Sequence, residues 1–148
     1  MIANTLETAR GQWVRDFIDV MPAAHFLRLQ LDSLDIGSAV FTQDIRPEIT
    51  FDGRQVQGGI LGAIADFAGA TAALTLLAPG SHVATLDYTM KIVNPALGSR
   101  LVAIACLVGS GRTVTTSSVE VFSEGGGRRE LVATALVTAR NFTRVAGT

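Results

Sequence analysis

Cysteine is almost absent from this 148-residue sequence, which contains Cys106 alone. A single cysteine excludes an internal disulfide and a cysteine metal cluster. Because Cys106 stands in an apolar run, we interpret it as an unreactive thiol in the core. We therefore expect no metal and no disulfide framework.

Charge is also scarce, at 17% of residues, and the net charge is −1 with no basic run. Nucleic-acid binding therefore has no electrostatic footprint in this chain. Hydrophobic residues make up 48%, which favours a single well-buried domain over residues 1–148 and disfavours disorder. The first residues lack a basic segment followed by an apolar one, so we expect no signal peptide and a cytoplasmic location.

The stretch from Gln57 to Leu77 is small and apolar on every face and predicts a central helix over about 58–77. Its length is close to the ~20 residues of a membrane span. A charge at Asp66, in the middle of the stretch, and the many glycine and alanine residues disfavour that interpretation. A carboxylate is costly to bury without a partner, so the function of this chain depends on what Asp66 does.

The chain before the central stretch predicts one helix and a hairpin. Apolar residues at helical spacing from Trp13 to Val20 indicate a helix over about 6–20, which Met21-Pro22 ends. Leucines alternate with polar residues over 27–32, which indicates a strand. A turn over 35–37 then leads into a return strand over 38–45.

Four strands are predicted after the central helix, over 84–93, 100–108, 113–122 and 130–140. In the first of them the alternation places Tyr88, Met90 and Ile92 on one face, together with Leu86. Thr85 falls on the other face with Asp87, Thr89 and Lys91. Successive hairpins and one buried helix predict an α+β fold, an antiparallel sheet of about six strands around the central helix.

Several short motifs occur in a fixed order along this pattern. Gln57-Gly58-Gly59 opens the helix, and Asp66 follows nine positions after Gln57. The next strand opens near Thr85 and closes at Asn94-Pro95 with Gly98 soon after, and Gly111-Arg112 forms a later turn. The ordered set resembles the hotdog-fold thioesterases, specifically the phenylacetate-degradation (PaaI-like) acyl-CoA thioesterases. The resemblance covers roughly residues 27–140 and implies a hotdog fold and thioester hydrolysis.

Two positions depart from that family. The family's histidine at the start of the helix is Gln57 in this sequence. In a related branch an asparagine six residues earlier helps to position the attacking water, and that position is Phe51 here. Asp52 is adjacent and could substitute, although an acid is not an amide.

The resemblance implies roles that the residues can fill chemically. Backbone N–H groups of Gly58 and Gly59 are free at a helix N-terminus and can bind an oxyanion, with the Gln57 amide as a further donor. Asp66 would act as general base or as nucleophile, and Thr85 would hydrogen-bond Asp66 or the water. The expected substrate-binding residues are Gly59, Asp52, Phe51 and Arg112. Arg112, Arg100 and Lys91 are the alternative candidates for a contact with the coenzyme A phosphates.

Asp66 lies about two helical turns from the glycines, so one helix can hardly present both to one carbonyl. Hotdog subunits pair with their helices antiparallel, which implies a homodimer with composite sites, and the group commonly forms dimers of dimers. Asp66 and Thr85 would come from one chain and Gln57-Gly58-Gly59 from the other. The plainer alternatives are a hydrogen-bonded structural Asp66 and an ordinary strand threonine at Thr85.

Other functions stay open at this point. A hotdog protein that binds acyl-CoA without turnover is the main alternative, because the family's histidine and asparagine are missing. A hotdog dehydratase is a weaker one, since neither His25 nor His82 lies in the motif. No serine-hydrolase elbow and no Walker loop occurs. We expect no cofactor beyond the coenzyme A of the substrate. Four apolar residues are expected either to line an acyl tunnel or to pack in the core: Phe51, Phe67, Tyr88 and Met90.

Overall fold

The structure is a computed structural model that describes residues 9–144. The described helices are α1 (Ala9–Asp19), α2 (Pro22–Leu27) and α3 (Gly58–Leu74), with a short 3-10 turn at Pro47–Ile49. The strands are β1 (Gln30–Asp35), β2 (Ser38–Asp44), β3 (His82–Ile92), β4 (Arg100–Ser110), β5 (Val114–Gly125) and β6 (Arg128–Phe142). They form one antiparallel sheet in the order β1-β2-β4-β5-β6-β3. The predicted α+β architecture is confirmed.

Helix α3 lies across one face of this sheet and contacts β2, β3, β4, β5 and β6. A row of side chains crosses the covered face at one level, formed by Phe41, Ala103, Val121 and Ala133 on four neighbouring strands. Each of them is fully buried. Small residues alternate with large ones in this row, so the helix approaches the sheet closely, and a fully buried Val or Phe stabilises the fold by about 1.5–3 kcal/mol.

The end of α3 differs from the prediction. The helix ends at Leu74, three residues before the predicted Leu77, and Thr75 follows it as the capping residue. The Thr75 hydroxyl donates to the carbonyl oxygen of Ala72 at 2.7 Å and accepts from the N–H of Gly37 at 2.8 Å. A buried hydroxyl with both partners ties the helix end to the β1–β2 turn, and the sequence pattern held no sign of this long-range contact.

The region before the sheet also differs. Helix α1 matches the predicted helix within residues 9–19, and the predicted start at positions 6–8 lies outside the described residues. Pro22 does not only end a helix: it stands at the first position of α2, where a missing N–H costs nothing. Arg28, with φ 54°, closes α2 in the left-handed conformation. The predicted strand over 27–32 is therefore wrong over residues 27–29, and β1 begins at Gln30.

Cys106 is exposed, and its interpretation as a core thiol is wrong. It pairs in register with Ser38 and Ser118, on the face of the sheet opposite to α3. An apolar run in a strand supplies both faces of the sheet, and only one of them is covered here. Within residues 9–144, no helix is both long enough and apolar enough to cross a membrane.

Gly69 of α3 packs directly on β6. A Cβ at this position would lie 2.6 Å from the Cβ of Val137, which the strand backbone holds in place. We therefore expect Gly69→Ala to lower the free energy of unfolding by about 1–3 kcal/mol, as overpacked cores do. Gly62→Ala is the matched control, because its Cβ would meet the movable end of the Tyr88 side chain. Denaturant titration of both variants measures the difference, and equal stabilities would contradict the packing argument.

Candidate active site

A β-bulge in β3 decides which way Thr85 faces. Thr85 pairs with Ala139, whereas Asp87 pairs with Thr138, so Leu86 is an extra residue in the ladder. One extra residue reverses the alternation, and Thr85 lies on the α3 side together with Tyr88. The prediction that put Thr85 on the face of Asp87 is therefore wrong, and the correction brings Thr85 to Asp66.

Asp66 and Thr85 form a hydrogen-bonded pair at the rim of the sheet. The Thr85 hydroxyl donates to the Oδ1 atom of Asp66 at 2.6 Å. Asp66 is half-buried in α3, while Thr85 is exposed on the edge strand. Burial raises the pKa of Asp66 above its ordinary value, and the Thr85 hydrogen bond opposes that rise because it stabilises the charged form. The pair leaves the second carboxylate oxygen available to a further group.

These opposing effects predict a measurable titration. We expect the pKa of the Asp66 carboxyl to lie above the ~3.9 of an unperturbed aspartate. Thr85→Val removes the hydroxyl and should raise the pKa further, whereas Thr85→Ser keeps the donor and should leave it nearly unchanged. Carbon-detected NMR titration of the side-chain carboxyl follows all three proteins. An Asp66 pKa at or below the ordinary value would contradict the described burial.

Helix α3 and strand β3 run antiparallel and touch along one helix face. Asp66 meets Thr85, Gly62 lies against Tyr88, and Gly58 lies against Ile92. The three helix positions are spaced by four residues, so they form a single stripe. A Cβ at Gly62 would lie 2.7 Å from the Tyr88 hydroxyl oxygen, and one at Gly58 would lie 3.2 Å from the Ile92 Cδ1. The glycines therefore leave room for the Tyr88 and Ile92 side chains against the helix.

The start of α3 presents free backbone donors. Gln57 is the N-cap residue in an extended conformation, and its carbonyl oxygen accepts from the N–H of Ile60 at 2.9 Å. The N–H groups of Gly58 and Gly59 precede the first intrahelical bond and have no acceptor within the helix. A Cβ at Gly59 would meet nothing within 4 Å. The Gln57 side chain does not cap the helix, so its amide is also available.

The two predicted halves of the site do not meet within one chain. Asp66 stands eight residues after Gly58 in α3, which separates them by about 12 Å along the helix axis. The structure therefore brings Asp66 to Thr85 and keeps both apart from Gln57, Gly58 and Gly59.

The remaining predicted substrate-binding residues lie elsewhere. The Oδ1 atom of Asp52 accepts from the N–H groups of Gln55 at 2.7 Å and Arg54 at 2.8 Å, which lower the pKa of Asp52 and shape the loop before α3. Phe51 is 62% exposed in the same loop. Arg112 is exposed in the β4–β5 turn, near the end of the sheet that holds Thr85, but β6 lies between β5 and β3, so these two strands are two strand spacings, or about 10 Å, apart.

An apolar cavity of about 190 Å³ opens beside Asp66 and Thr85. Its walls come from α1 with the Met21 that follows it, from α3 and from β3, and they include Phe17, Ile18, Phe67, Leu74 and Val83. Of the four predicted tunnel residues, Phe67 lines this cavity, whereas Phe51, Tyr88 and Met90 do not. The sequence pattern did not predict that Phe17 and Met21 line a cavity. Their spacing of four positions, which is typical of two apolar side chains on one side of a helical segment, is the feature that could have indicated it. Among residues 9–144, no group of three potential metal-ligating side chains occurs.

Solved structures share this architecture over nearly the whole chain. A thioesterase family protein from Silicibacter pomeroyi matches with a TM-score of 0.88 at 25% sequence identity, covering 92% of this chain and 100% of that one. The PaaI protein of the phenylacetic acid degradation operon of E. coli matches with a TM-score of 0.78 at 21% identity, covering 94% and 95%. The chain has the hotdog fold of the thioesterase superfamily. The predicted resemblance is confirmed at this level.

A third solved structure has the same fold and a higher sequence identity to this chain. A phenylacetic acid degradation-related protein from Ralstonia eutropha JMP134 is 28% identical, with a TM-score of 0.74 and coverage of 86% and 98%. No protein-family model and no curated protein matches the sequence. The relationship is therefore visible chiefly in three dimensions, since a fold persists after most of its sequence has changed.

Proposed function

We propose that this chain hydrolyses an acyl-CoA thioester to the free acid and coenzyme A, in a site that two subunits share. The observation that carries the proposal is the hydrogen-bonded Asp66–Thr85 pair at the mouth of an apolar cavity. The structural neighbours named as thioesterases support the same reaction class.

Asp66 is the group that activates the attack. As general base it takes a proton from water while the water oxygen bonds to the thioester carbonyl carbon. As nucleophile it attacks that carbon itself, and water then cleaves the anhydride. In both routes the carbon–sulfur bond breaks, and the coenzyme A thiolate leaves and is protonated. A raised pKa makes Asp66 a stronger base, and Thr85 holds one carboxylate oxygen so that the other faces the substrate.

The start of α3 is the complementary half, because attack places negative charge on the carbonyl oxygen. Free N–H groups at a helix N-terminus stabilise such charge, and the helix dipole adds to the effect. We assign the oxyanion contact to the N–H of Gly58, with the side-chain amide of Gln57 as a second donor. Gly59 leaves room for the substrate because nothing lies within 4 Å of a Cβ there.

Strand β3 supports the pairing of two chains. It lies at one edge of the sheet, with β6 on one side only. Exposed apolar side chains occur along this strand and just after its end: Leu86, which is 56% exposed, Tyr88, Ile92 and Val93. A long apolar edge strand of this kind is a template for pairing with another strand. The expected partner is the same strand of a second chain.

Twofold pairing of β3 with its copy would join the two half-sites. A twofold axis near Tyr88 sets the Thr85 end of one strand beside the Ile92 end of the other. Ile92 lies against Gly58 within its own chain, so Gly58 of the partner subunit approaches Asp66. Asp66 and Gly58 thus lie about 12 Å apart within one chain, whereas antiparallel pairing of two β3 strands would place Asp66 of one chain near Gly58 of the other. A dimer of dimers and a cytoplasmic location stay predictions.

The proposed reaction is tested by free-thiol release from a panel of acyl-CoA thioesters with short, medium, long and aryl acyl groups. We expect the wild-type protein to release thiol from at least one class, with saturation kinetics. Calorimetric binding of the same compounds accompanies the assay. Binding without thiol release from any member would overturn the proposal in favour of an acyl-CoA-binding protein.

Subunit complementation tests the shared site. A chain with Asp66→Asn and a chain with Gly58→Pro each lack one half, but their heterodimer holds one intact composite site. Random exchange makes about half of the dimers mixed, each with one working site of two, so about a quarter of wild-type activity should return. Differently tagged chains verify exchange. Verified exchange without recovered activity would exclude the composite site.

A further inference from the structure

We propose that helix α1 and the segment that follows it set the size of the acyl group that this site accepts, with Phe17 of α1 and Met21, two residues beyond its end, forming the wall that limits it. This inference rests on the proposed thioester hydrolysis. The cavity that opens at Asp66 is closed on one side by α1, whereas its other walls belong to α3 and β3. The acyl group enters from the thioester carbonyl at Asp66 and extends beneath α1.

The cavity follows α3 away from the start of the helix. Asp66, Ala70 and Leu74 line it at successive turns, which gives it a length of about 12 Å along the helix. The coenzyme A portion of the substrate lies on the opposite side of the carbonyl, toward solvent. An acyl group that points along this cavity therefore moves away from the Gly58 half of the site.

The size and lining of the cavity define the ligand class. At about 190 Å³ it is below the usual range for drug-sized ligands, and a cavity of about 150 Å³ in another protein accepts benzene. Apart from Asp66 and Thr85, its polar lining is limited to Thr71. A short alkyl chain or a single ring fits, whereas a charged acyl group would lose its hydration without a partner. A long fatty acyl chain fits only if α1 moves.

The α1 wall differs from the other walls in how it is held. Leu74 and Val83 belong to the helix and strand of the central fold. Phe17 and Met21 are only partly buried, so each has one side toward the cavity core and another toward solvent. Val14 and Ile18 anchor the same helix in the core. The Phe17 and Met21 side chains can therefore be shortened without emptying the main core.

Acyl-length profiles of four variants test the proposal. Phe17→Ala and Met21→Ala enlarge the cavity. We expect kcat/KM for longer acyl groups to rise at least tenfold relative to short ones, which is the effect of one or two methylene groups in an apolar pocket. Phe17→Trp narrows the cavity and should shift the profile toward shorter groups. Val14→Ala is the matched control, because it shortens a buried α1 side chain that does not line the cavity.

A second measurement separates this inference from the proposed reaction. Non-hydrolysable thioether analogues of the same acyl series are titrated against each variant by calorimetry. If no thioester is hydrolysed but the preferred length of bound analogue still shifts with position 17, the proposed reaction fails and the α1 assignment holds. If thioesters are hydrolysed and all four variants keep the wild-type length profile, the α1 assignment is overturned and the reaction stands.

Discussion

Asp66→Asn is expected to lower kcat/KM for thioester hydrolysis by at least about 10²–10⁴-fold, the usual size of a general-base contribution. The amide keeps the shape of the side chain, and its carbonyl oxygen can still accept the hydrogen bond that Thr85 donates at 2.6 Å to the carboxylate. It cannot take a proton from water and cannot form an acyl anhydride. The loss should appear in kcat, because substrate binding does not depend on the missing charge.

The matched control is Asp87→Asn, the same change two residues after Thr85 on β3. Asp87 pairs with Thr138 and lies on the face of the sheet opposite to α3. Free-thiol release from the best acyl-CoA should therefore be close to wild type in this variant. If the Asp66→Asn variant kept more than a third of the wild-type kcat, Asp66 would not take part in the mechanism.

Asp66→Asn should not destabilise the fold. Burial raises the pKa of Asp66, so the folded state holds a proton more readily than the unfolded state. The cost of the buried charge is fully present above the folded-state pKa and disappears as the pH falls through that value toward ~3.9. We expect Asp66→Asn to equal or exceed the wild-type free energy of unfolding at neutral pH, with the gain shrinking as the pH falls. Denaturant titrations at several pH values measure it.

Gly58→Pro is expected to lower kcat by about 10²–10³-fold, as the loss of one oxyanion donor does in other hydrolases. Proline removes a single N–H group and nothing else that the helix needs, since position 58 is the first of α3 and its N–H has no intrahelical acceptor. The preceding residue must be extended before a proline. Gln57 already is, with φ −62° and ψ 136°.

Gly58→Ala is the control for Gly58→Pro, because it adds the same Cβ and keeps the N–H. That Cβ would lie 3.2 Å from the Ile92 Cδ1, the movable end of a half-exposed side chain, so it is accommodated by a small shift. The difference in kcat between the two variants isolates the donor. Equal activity would mean that the oxyanion binds elsewhere, and circular dichroism of both variants verifies that α3 is intact.

The catalytic candidates follow from the sequence because each depends on its near neighbours. Asp66 stands out as the one charge in an apolar stretch, and Gly58-Gly59 stands out at the start of the same stretch. The limits of the stretch are less reliable, since α3 ends at Leu74 rather than Leu77. The hydrogen bond that ends it joins Thr75 to Gly37, 38 residues earlier, and no local pattern records such a contact.

Thr85 shows the opposite case. Alternation along the strand placed it on the face of Asp87, and one extra residue at Leu86 puts it on the face of Tyr88 instead. Whether a strand contains a bulge depends on how its neighbour pairs with it, and β6 lies some fifty residues further along the chain. The hydrogen bond from Thr85 to Asp66, one of the two contacts predicted for Thr85, is present although the predicted face was wrong, and the catalytic role of the pair stays a prediction.

The sequence by itself determined the order of helix and strands, the antiparallel sheet and the buried helix with its single carboxylate. These depend on hydrophobic periodicity and turn residues, which act between residues close in the chain. Only the tertiary structure decided the face of Thr85, the end of α3 at Leu74 and the cavity beneath α1. These depend on how distant segments pack against one another, since the volume left between α1, α3 and β3 belongs to none of the three segments alone.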